Sequence, residues 1–455
     1  MKIVFHGACR TVTGSLHEVQ IGGRRIVLDC GLFQGPRALA RQINTKFDFD
    51  PKTVEMVLLS HGHMDHVGNL PNLVKQGFKG KIYCTKATAA LSALMLMDSA
   101  KIQEEDAAYL NQKTQRSWQG KIEPLYTQED AQKTIGLFAP LEYAQPRDFG
   151  GFTVELHEAG HVLGSAAIRI VETASGRSLV FTGDVGRPDA PILEDPIPFT
   201  QANAVISECT YGGRKHGPVA DVPKAMARII GETAARGGIL MIPAFALGRT
   251  QTMVQQINEL RSQGKIPAKL RVFVDSPLAT RLTEVFRTYE NLWDDETRAM
   301  FEPFDEEFLT YTASVQESMK LNQMSGPLVI IASSGMCEGG RILHHLKHHL
   351  RDARCTVLLA GYQGAGTLGR KIHDRLPEVP ILGDMIPLRC HVEQIDGLSA
   401  HADGEELVNY TRPLKGAKVY LVHGEIEAAE AHRKALGAAG FGSVTIAERG
   451  QTVEV

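Results

Sequence analysis

The sequence has few cysteines, no long hydrophobic run and no excess of positive charge, and each absence excludes a class of protein. Seven cysteines are scattered over 455 residues without a C-x-x-C pair, which excludes a disulfide-built scaffold and a thiolate zinc ribbon. The longest apolar run, 239–247, has nine residues and contains a proline, whereas a membrane-spanning helix needs about 20. Lys and Arg number 49 against 52 Asp and Glu, so a nucleic-acid site would have to be a local basic groove.

The rest of the composition is that of an ordinary globular protein. Hydrophobic residues make up 43% and charged residues 22%, enough to bury a sizeable core. The length corresponds to about three structural units. The apolar stretch before His6 is too short for a secretory signal. Because the cysteine usage is also that of a reducing compartment, we expect a soluble protein of the cytoplasm.

Two patterns of strands and helices divide the chain. Up to about residue 203, short strands are punctuated by glycine-containing turns, which favours a layered α+β arrangement. After Glu208, compact apolar strands alternate with helical stretches. The strands are expected at 239–242, 271–275, 328–332 and 356–360, and the helices near 222–236, 249–263, 277–291 and 341–351. Such alternation predicts a parallel sheet with crossover helices.

The densest group of polar side chains follows a buried strand at 54–60. His61, His63, Asp65 and His66 come within six positions. In an extended segment His61 and His63 point the same way, so both can reach one cation, while Asp65 and His66 lie past a turn and can reach a second. Imidazole and carboxylate without thiolate suit zinc, with manganese or iron as alternatives. A polar loop with turn-capping histidines is the other interpretation, but this density directly after a buried strand favours a metal site.

Three further polar side chains stand at strand ends. His161 lies in a glycine-flanked loop between two strands, Asp184 follows a strand, and Asp29 ends an early strand. Taken alone, each aspartate fits an ordinary turn residue equally well. His157 ends an alternating strand, and we interpret it as a structural histidine.

The H-x-H-x-D-H segment resembles the signature of the metallo-β-lactamase superfamily. In this sequence it reads His61-Gly62-His63-Met64-Asp65-His66, and Asp29, His161 and Asp184 follow the order of the superfamily's other motifs. The resemblance implies an αββα sandwich with a dinuclear metal site, usually zinc, at one edge of its two sheets.

Three later segments, around Glu208, His401 and His423, resemble the additional motifs of the β-CASP ribonucleases within that superfamily. The branch implies a parallel α/β domain inserted into the sandwich. The expected domains are 1–208 and 391–455 for the metallo-β-lactamase part and 209–390 for the β-CASP part.

The resemblance also implies how the site residues are used. Asp29 is expected to orient a ligand imidazole from outside the metal site. The first cation is assigned to His61, His63 and His161, the second to Asp65, His66 and His423, and Asp184 bridges the two.

Catalytic roles follow from the same resemblance. His401 is expected to protonate the leaving 3′-oxygen, and the carboxylate of Glu208 favours the required imidazolium. Asp65 is counted with these two as catalytic. A glycine-rich loop after the strand at 328–332 is expected to contact phosphate through backbone N–H groups, although a plain strand-to-helix turn fits its sequence equally well. The expected phosphate or RNA contacts are Ser333, Ser334, Gly335, Met336 and Ser399.

One helix, near 341–351, carries four histidines in two pairs spaced four residues apart. A metal site is one interpretation, but no carboxylate or thiolate accompanies these histidines. We therefore interpret the helix as solvated or RNA-facing. Its histidines are His344, His345, His348 and His349, with Lys347 and Arg351 beside them.

The sequence thus predicts a metal-dependent ribonuclease with single-stranded RNA between its two domains. A hydroxide at the cation pair would hydrolyse phosphodiester bonds and leave 5′-phosphate and 3′-hydroxyl ends. A DNA nuclease of the same fold and a small-molecule (thio)ester or lactone hydrolase are the alternatives. His423 favours RNA, because DNA-acting members of the family tend to have valine at this motif. Endonuclease or exonuclease action stays open, as does the choice between a monomer and a homodimer.

Overall fold

The structure is a computed structural model of the chain, and it describes residues 1–113, 121–300, 302–304, 309–364 and 366–455. These residues form two compact units. The first unit comprises Met1–Pro188, Asp195–Lys215 and His401–Val455, and the second comprises Asp189–Glu194 and His216–Ala400. The domain boundaries expected after residues 208 and 390 stay predictions.

The amino-terminal part of the first unit consists of short strands and helices. The strands are β1 (Lys2–Phe5), β2 (His17–Ile21), β3 (Arg24–Leu28), β4 (Val54–Leu58), β5 (Lys81–Cys84), β6 (Phe138–Pro140), β7 (Arg147–Asp148), β8 (Phe152–Glu158), β9 (Ala166–Glu172), β10 (Ser178–Phe181) and β11 (Ala204–Glu208). The helices are α1 (Arg37–Thr45), α2 (Met64–Val67), α3 (Leu70–Lys75), α4 (Lys86–Lys113) and α5 (Gln128–Ile135).

The second unit alternates helices with strands, as its sequence pattern predicts. The helices are α6 (Val222–Ala235), α7 (Arg249–Ser262), α8 (Pro277–Thr288), α9 (Asp295–Ala299), α10 (Val315–Leu321), α11 (Ile342–His349) and α12 (Leu368–His373). The strands are β12 (Ile239–Pro243), β13 (Arg271–Asp275), β14 (Leu309–Tyr311), β15 (Leu328–Ala332), β16 (Thr356–Leu359), β17 (Glu378–Ile381), β18 (Asp384–Pro387) and β19 (His391–Gln394).

The carboxyl-terminal segment returns to the first unit. Its elements are α13 (Gly404–Thr411), β20 (Lys418–Val422), α14 (Ile426–Ala438), β21 (Val444–Ile446) and β22 (Thr452–Glu454). β20 pairs in parallel with β11, and β22 pairs antiparallel with β1, so both sheets of the first unit contain strands from the two ends of the chain.

The first unit is a sandwich of two seven-stranded sheets. In the described residues, their strand orders are β22-β1-β2-β3-β4-β5-β6 and β21-β20-β11-β10-β9-β8-β7. Strand β8 alternates buried and half-buried residues, so one of its faces meets the core. Phe5 and Ile26 of the first sheet and Leu156 and Ile168 of the second belong to the same buried cluster. The αββα sandwich expected from the sequence is confirmed.

Strand direction brings the ends of six strands to one edge of this sandwich. β3 and β4 are parallel in the first sheet, and β10, β11 and β20 are parallel in the second. β8 also runs parallel to β10, because each pairs antiparallel with β9 between them. The polar residues that follow these strands lie close together, although the sequence spreads them over nearly the whole chain.

The larger sheet of the second unit is parallel throughout its described strands. The order is β14-β13-β15-β12-β16-β19, and the smaller sheet pairs β17 with β18. Residues of β12, β15 and β16 are fully buried, as expected for a parallel sheet covered by helices. The predicted parallel α/β part of the fold is confirmed. Among the helices described, none combines the length and the apolar character that crossing a lipid bilayer requires.

Candidate metal centre

Three histidine nitrogens converge beyond the ends of β4 and β8. Nδ1 of His63 lies 3.1 Å from Nε2 of His61 and 3.0 Å from Nε2 of His161. The rings stand nearly perpendicular to one another, with interplanar angles of 89°, 77° and 81°. These atoms lie within 4.8 Å of one another, so the three histidines can ligate one cation.

A second group of possible ligands consists of Asp65, His66 and His423. Their ligand atoms also lie within 4.8 Å of one another, and Nε2 of His423 is 3.4 Å from Oδ2 of Asp65. Asp65 and His66 lie in the short helix α2, which begins directly after the extended segment of His61 and His63. His423 follows β20 in the other sheet, 358 residues beyond Asp65.

Asp184 faces both groups. Its Oδ2 lies 3.6 Å from Nε2 of His61, 3.6 Å from Nε2 of His161 and 3.2 Å from Nε2 of His66. Its Oδ1 lies 3.4 Å from Nδ1 of His423. The side chain is buried at the end of β10, so a single carboxylate is placed where a bridging ligand would be required.

Burial and neighbouring charges set the protonation states of these groups. Burial lowers the pKa of His61 well below its ordinary value and lowers that of His63 to about 4. Burial also opposes the charged form of His66, but the carboxylates of Asp184 and Asp29 outweigh it and raise the pKa well above the ordinary value. Neutral imidazole is the form that ligates metals, so His61 and His63 are in the ligating form at neutral pH.

The donor set fits a pair of metal ions. Within the described part of the chain, Oδ1 of Asp184 is buried and forms no hydrogen bond. Buried polar atoms almost always have a partner, so this oxygen is available to a cation. A set of imidazoles and carboxylates without thiolate suits zinc, with manganese or iron as alternatives.

Asp29 holds the ring of His66 from outside the cluster. Its Oδ2 lies 2.7 Å from Nδ1 of His66 and accepts the hydroxyls of Ser60 at 2.9 Å and Ser15 at 3.2 Å. Asp29 is buried and has a φ of 56°, a conformation that aspartate tolerates better than most residues. Neither serine is among the residues predicted from the sequence. For Ser60 a signal existed, since it ends the apolar strand directly before His61.

Hydrogen bonds to carbonyl groups of the amino-terminal loop hold the segment of His423. The N–H of His423 donates to the carbonyl of Ala8 at 2.7 Å, and that of Gly424 donates to Thr11 at 3.2 Å. Oγ1 of Thr210, also missed by the sequence analysis, lies 3.1 Å from Nδ1 of His423. His423 has a φ of 48°, a strain of about 1–3 kcal/mol that persists only where surrounding contacts enforce it.

His401 lies beside the predicted metal ligands. Its Nδ1 is 3.2 Å from Oε1 of Glu208 and 4.0 Å from Oδ2 of Asp184. Burial opposes protonation, but the carboxylates of Glu208 and Asp184 outweigh it and raise the pKa of His401 to about 9. An imidazolium in this position can donate a proton. The ligand atoms of His161, Asp184 and His401 also lie within 4.8 Å, so the geometry accommodates a ligand role as well.

A largely buried ion pair, which no sequence pattern indicated, supports helix α13, which starts after His401. Nη2 of Arg187 lies 2.9 Å from Oε1 of Glu406. Oε2 of Glu406 accepts the N–H of Asp403 at 2.8 Å, and Oδ1 of Asp403 accepts the N–H of Glu406 at 3.0 Å. This capping box fixes the start of the helix, and Arg187 holds its acidic member in place.

The residues expected to contact phosphate belong to the second unit. The glycine-rich loop lies between β15 and α11, and Oγ of Ser334 accepts the N–H groups of Glu338 at 3.1 Å and Gly339 at 3.3 Å. The loop is thus braced by its own side chain. The residues in question are Ser333, Ser334, Gly335, Met336 and Ser399.

The histidines of α11 do not share one environment. His344 and His348 are exposed, but His345 is buried, with Nε2 at 2.7 Å from Oδ2 of Asp275 and Nδ1 at 2.8 Å from Oδ1 of Asn322. The interpretation of a solvated or RNA-facing helix is therefore wrong for His345. Its carboxylate partner lies 70 residues away in sequence, beyond the reach of local pattern.

Three family models match successive parts of the chain. The metallo-β-lactamase superfamily model matches residues 14–227, and the Beta-Casp domain model matches 250–372. A model described as the Zn-dependent metallo-hydrolase RNA specificity domain matches 385–446.

Curated relatives match most of the chain. It is 38% identical over 460 residues to ribonuclease TTHA0252 of Thermus thermophilus, with 100% of both chains covered. Transcription termination factor FttA of Methanocaldococcus jannaschii is 30% identical over 441 residues, 93% of this chain and 67% of that protein. Endoribonuclease YSH1 of Candida glabrata is 30% identical over 432 residues, and the matched region spans about half of its length, 54%, against 92% of this chain.

A solved structure shows the same fold. The crystal structure of a protein of unknown function from Enterococcus faecalis V583 aligns with a TM-score of 0.56 over 99% of each chain, at 12% identity. The full-length match to TTHA0252 and the three successive family models agree with the architecture and with the motif order. The chain belongs to the β-CASP family of the metallo-β-lactamase superfamily.

Proposed function

We propose that this protein is a metal-dependent ribonuclease that hydrolyses phosphodiester bonds of single-stranded RNA. The proposal depends on one arrangement: Asp184 faces both ligand groups, and Nδ1 of His401 lies 4.0 Å from the Asp184 carboxylate. The raised pKa of His401 favours its protonated form. The names of two relatives, ribonuclease TTHA0252 and endoribonuclease YSH1, support the same reaction.

In this proposal two metal ions, zinc first and manganese or iron as alternatives, are held by the two ligand groups. When bound, such a pair lowers the pKa of water to about 7 and stabilises negative charge on phosphoryl oxygens. The first group would be His61, His63 and His161, the second Asp65, His66 and His423, with Asp184 between them. Asp29 would keep His66 in its ligating orientation through the contact at Nδ1.

Asp65 has a second proposed role, as an acceptor for the attacking water. Burial opposes its ionised form, but His66 and His423 outweigh burial and hold the pKa well below its ordinary value. The carboxylate therefore stays ionised at neutral pH. About a quarter of its side chain is exposed (23%), so the acceptor faces the accessible side of the cluster.

His401 is proposed to protonate the leaving oxygen. Water adds its oxygen to phosphorus, the bond from phosphorus to the 3′-oxygen breaks, and the proton of the imidazolium goes to that oxygen. The products are therefore a 3′-hydroxyl and a 5′-phosphate. Glu208 is fully buried, and its Oε1 also accepts the N–H of Val185 at 2.6 Å, so it is rigid enough to orient the imidazole.

RNA is favoured over DNA and over small esters. The carboxyl-terminal part, 385–446, matches a model described as an RNA specificity domain, and His423 lies within this region. We further propose that the loop of the second unit contacts the phosphate backbone, and that the enzyme acts in the cytoplasm, consistent with seven unpaired cysteines. The proposed contacts are Ser333, Ser334, Gly335, Met336 and Ser399.

The test uses one end-labelled and one internally labelled RNA, with DNA of the same sequence. Chelation is expected to abolish RNA cleavage, and addition of a single metal species at a time is expected to restore it. Analysis of the product ends checks for 5′-phosphate and 3′-hydroxyl groups. Cleavage that survives complete metal removal would contradict the mechanism, and cleavage of DNA alone would replace RNA as the substrate. The two labels also separate internal from terminal cleavage.

A further inference from the structure

Two aromatic side chains of the second unit are exposed beside its glycine-rich loop. Phe245 is 48% exposed and Tyr362 is 46% exposed. They follow the carboxyl ends of β12 and β16, which are neighbours in the parallel sheet, and the loop follows β15, the other neighbour of β12. Because the ends of parallel strands meet at one edge, the two rings and the loop share that edge.

The ring of Phe245 and the side chain that follows Tyr362, Gln363, both contact the same point of the loop, Gly335. A Cβ on Gly335 would lie 2.8 Å from Cδ2 of Phe245, so this ring covers the glycine. Tyr362 directly precedes Gln363, whose buried Nε2 donates to the carbonyl of Gly335 at 3.2 Å and to that of Gly361 at 3.4 Å. The backbone that carries the two exposed rings is therefore braced, so binding has little further backbone to order here.

A positive charge beside the rings favours a bound anion. Arg249 is the first residue of α7, and its Nη2 lies 3.8 Å from where a Cβ on Gly361 would be. The first turn of this 14-residue helix has no acidic residue, and the positive end of a helix dipole favours an anion, as a guanidinium does. Glu338, an acid of the same loop, accepts the N–H of Leu368 at 2.6 Å.

We propose that Phe245 and Tyr362 form a stacking surface for the bases of single-stranded RNA, with Arg249 and the start of α7 contacting phosphate. The inference rests on the proposed ribonuclease function and specifies how the second unit holds the substrate. Every base has a π face, so stacking of this kind binds RNA with little dependence on sequence. The surface distinguishes single strands from duplexes, because paired bases do not expose their faces.

The test compares Phe245→Leu, Tyr362→Leu and the double variant in the full-length holoenzyme. Binding is measured by fluorescence anisotropy with single-stranded phosphorothioate RNA, which is hydrolysed slowly, and with an abasic oligomer of the same length and backbone. Each leucine variant is expected to bind the RNA roughly 5- to 100-fold more weakly and the abasic oligomer as the wild type does. Phe245→Tyr and Tyr362→Phe keep the ring and are expected to keep the affinity. Tyr109→Leu removes an exposed ring (54%) of α4 and serves as the matched control.

Several outcomes would overturn the inference. Unchanged RNA affinity in the double variant would do so, as would an equal loss of affinity for the abasic oligomer, which would indicate a backbone effect instead of stacking. If the leucine variants are unfolded, photo-crosslinking of 4-thiouridine RNA to the wild type decides: crosslinks are expected at Phe245 or Tyr362, and crosslinks confined to other segments reject the proposal. A wild-type protein that neither binds nor cleaves RNA would refute the proposed function itself. If the wild type cleaves RNA and the leucine variants bind and cleave it equally well, only the stacking surface is rejected.

Discussion

Oδ2 of Asp29 lies 2.7 Å from Nδ1 of His66, and both side chains are buried. The carboxylate favours the tautomer in which Nδ1 carries the proton, so Nε2 of His66 is directed towards Asp184 at 3.2 Å. One strand-end aspartate thus determines which nitrogen of a proposed ligand faces the cluster.

Replacing Asp29 with asparagine is expected to weaken metal binding. Asparagine matches the size and tolerates the φ of 56°. The change removes the charge that supports the imidazole and replaces one of two accepting oxygens, Oδ1 or Oδ2, with an amide nitrogen. Loss of such a partner typically costs about 10- to 100-fold in metal affinity. Competition with a chromogenic chelator measures it. Asp189→Asn, at an exposed aspartate with a φ of 57°, is the matched control. Equal affinities for both variants would show that Asp29 does not support the ligand.

Much of the ligand set was predictable because its members lie in the segments that follow apolar strands. His61 and His63 sit two residues apart in an extended segment, and the structure places their nitrogens 3.1 Å apart. Asp184 and His423 follow β10 and β20 of the other sheet, so only the family's motif order predicts that they lie beside these histidines. The residues at these strand ends were predictable from local patterns together with the family's motif order.

Partners that come from distant segments could not be predicted. Arg187 and Glu406 are 219 residues apart, and His345 and Asp275 are 70 apart, with no local pattern linking either pair. Whether two such side chains meet depends on strand order and helix packing, which periodicity does not specify. The contact between the Ser15 hydroxyl and Asp29 could not be predicted either, because it depends on how a loop folds back.

The His401→Ala substitution is expected to slow RNA turnover by about 10²- to 10⁴-fold while bound metal is retained, because it removes the proton donor. Single-turnover cleavage and metal analysis of the purified variant provide the two measurements. His348→Ala, at an exposed histidine of α11, controls for the loss of an imidazole. If the metal content of His401→Ala falls, His401 is a ligand, a role that its position near His161 and Asp184 would accommodate.

The ion pair between Arg187 and Glu406 is expected to show coupling in a double-mutant cycle. Arg187→Gln leaves a largely buried carboxylate without its cation, whereas the same change in a Glu406→Gln background does not. The stability losses of the two single variants should therefore add up to more than the loss of the double variant, by about 0.5–3 kcal/mol in the free energy of unfolding. Urea denaturation measures all four proteins. Strict additivity would mean that the pair does not stabilise the start of α13.

The pH dependence of stability should reveal a buried carboxyl group near the cluster. Burial raises the pKa of Glu158 from 4.5 to about 7, although hydrogen bonds from Gly160, Tyr143 and Ser165 oppose the shift. The folded protein therefore holds this proton more tightly than the unfolded chain does. The contribution of the protonated Glu158 to the free energy of unfolding is fully present below pH 4.5 and is lost as the pH rises to about 7.

Glu158→Gln is expected to remove this loss, because the amide keeps the shape and cannot ionise. Relative to the wild type, the variant should be similarly stable near pH 4.5 and more stable at pH 8, by about 3 kcal/mol. Urea denaturation at both pH values, with chelator present because metal affinity also changes with pH, provides the comparison. Glu129→Gln, at a carboxylate that is 77% exposed, is the matched control for replacing a carboxylate by an amide. A stability difference for Glu158→Gln that is the same at both pH values would mean that the carboxyl of Glu158 titrates alike in the folded and unfolded chain, and that burial does not hold its proton.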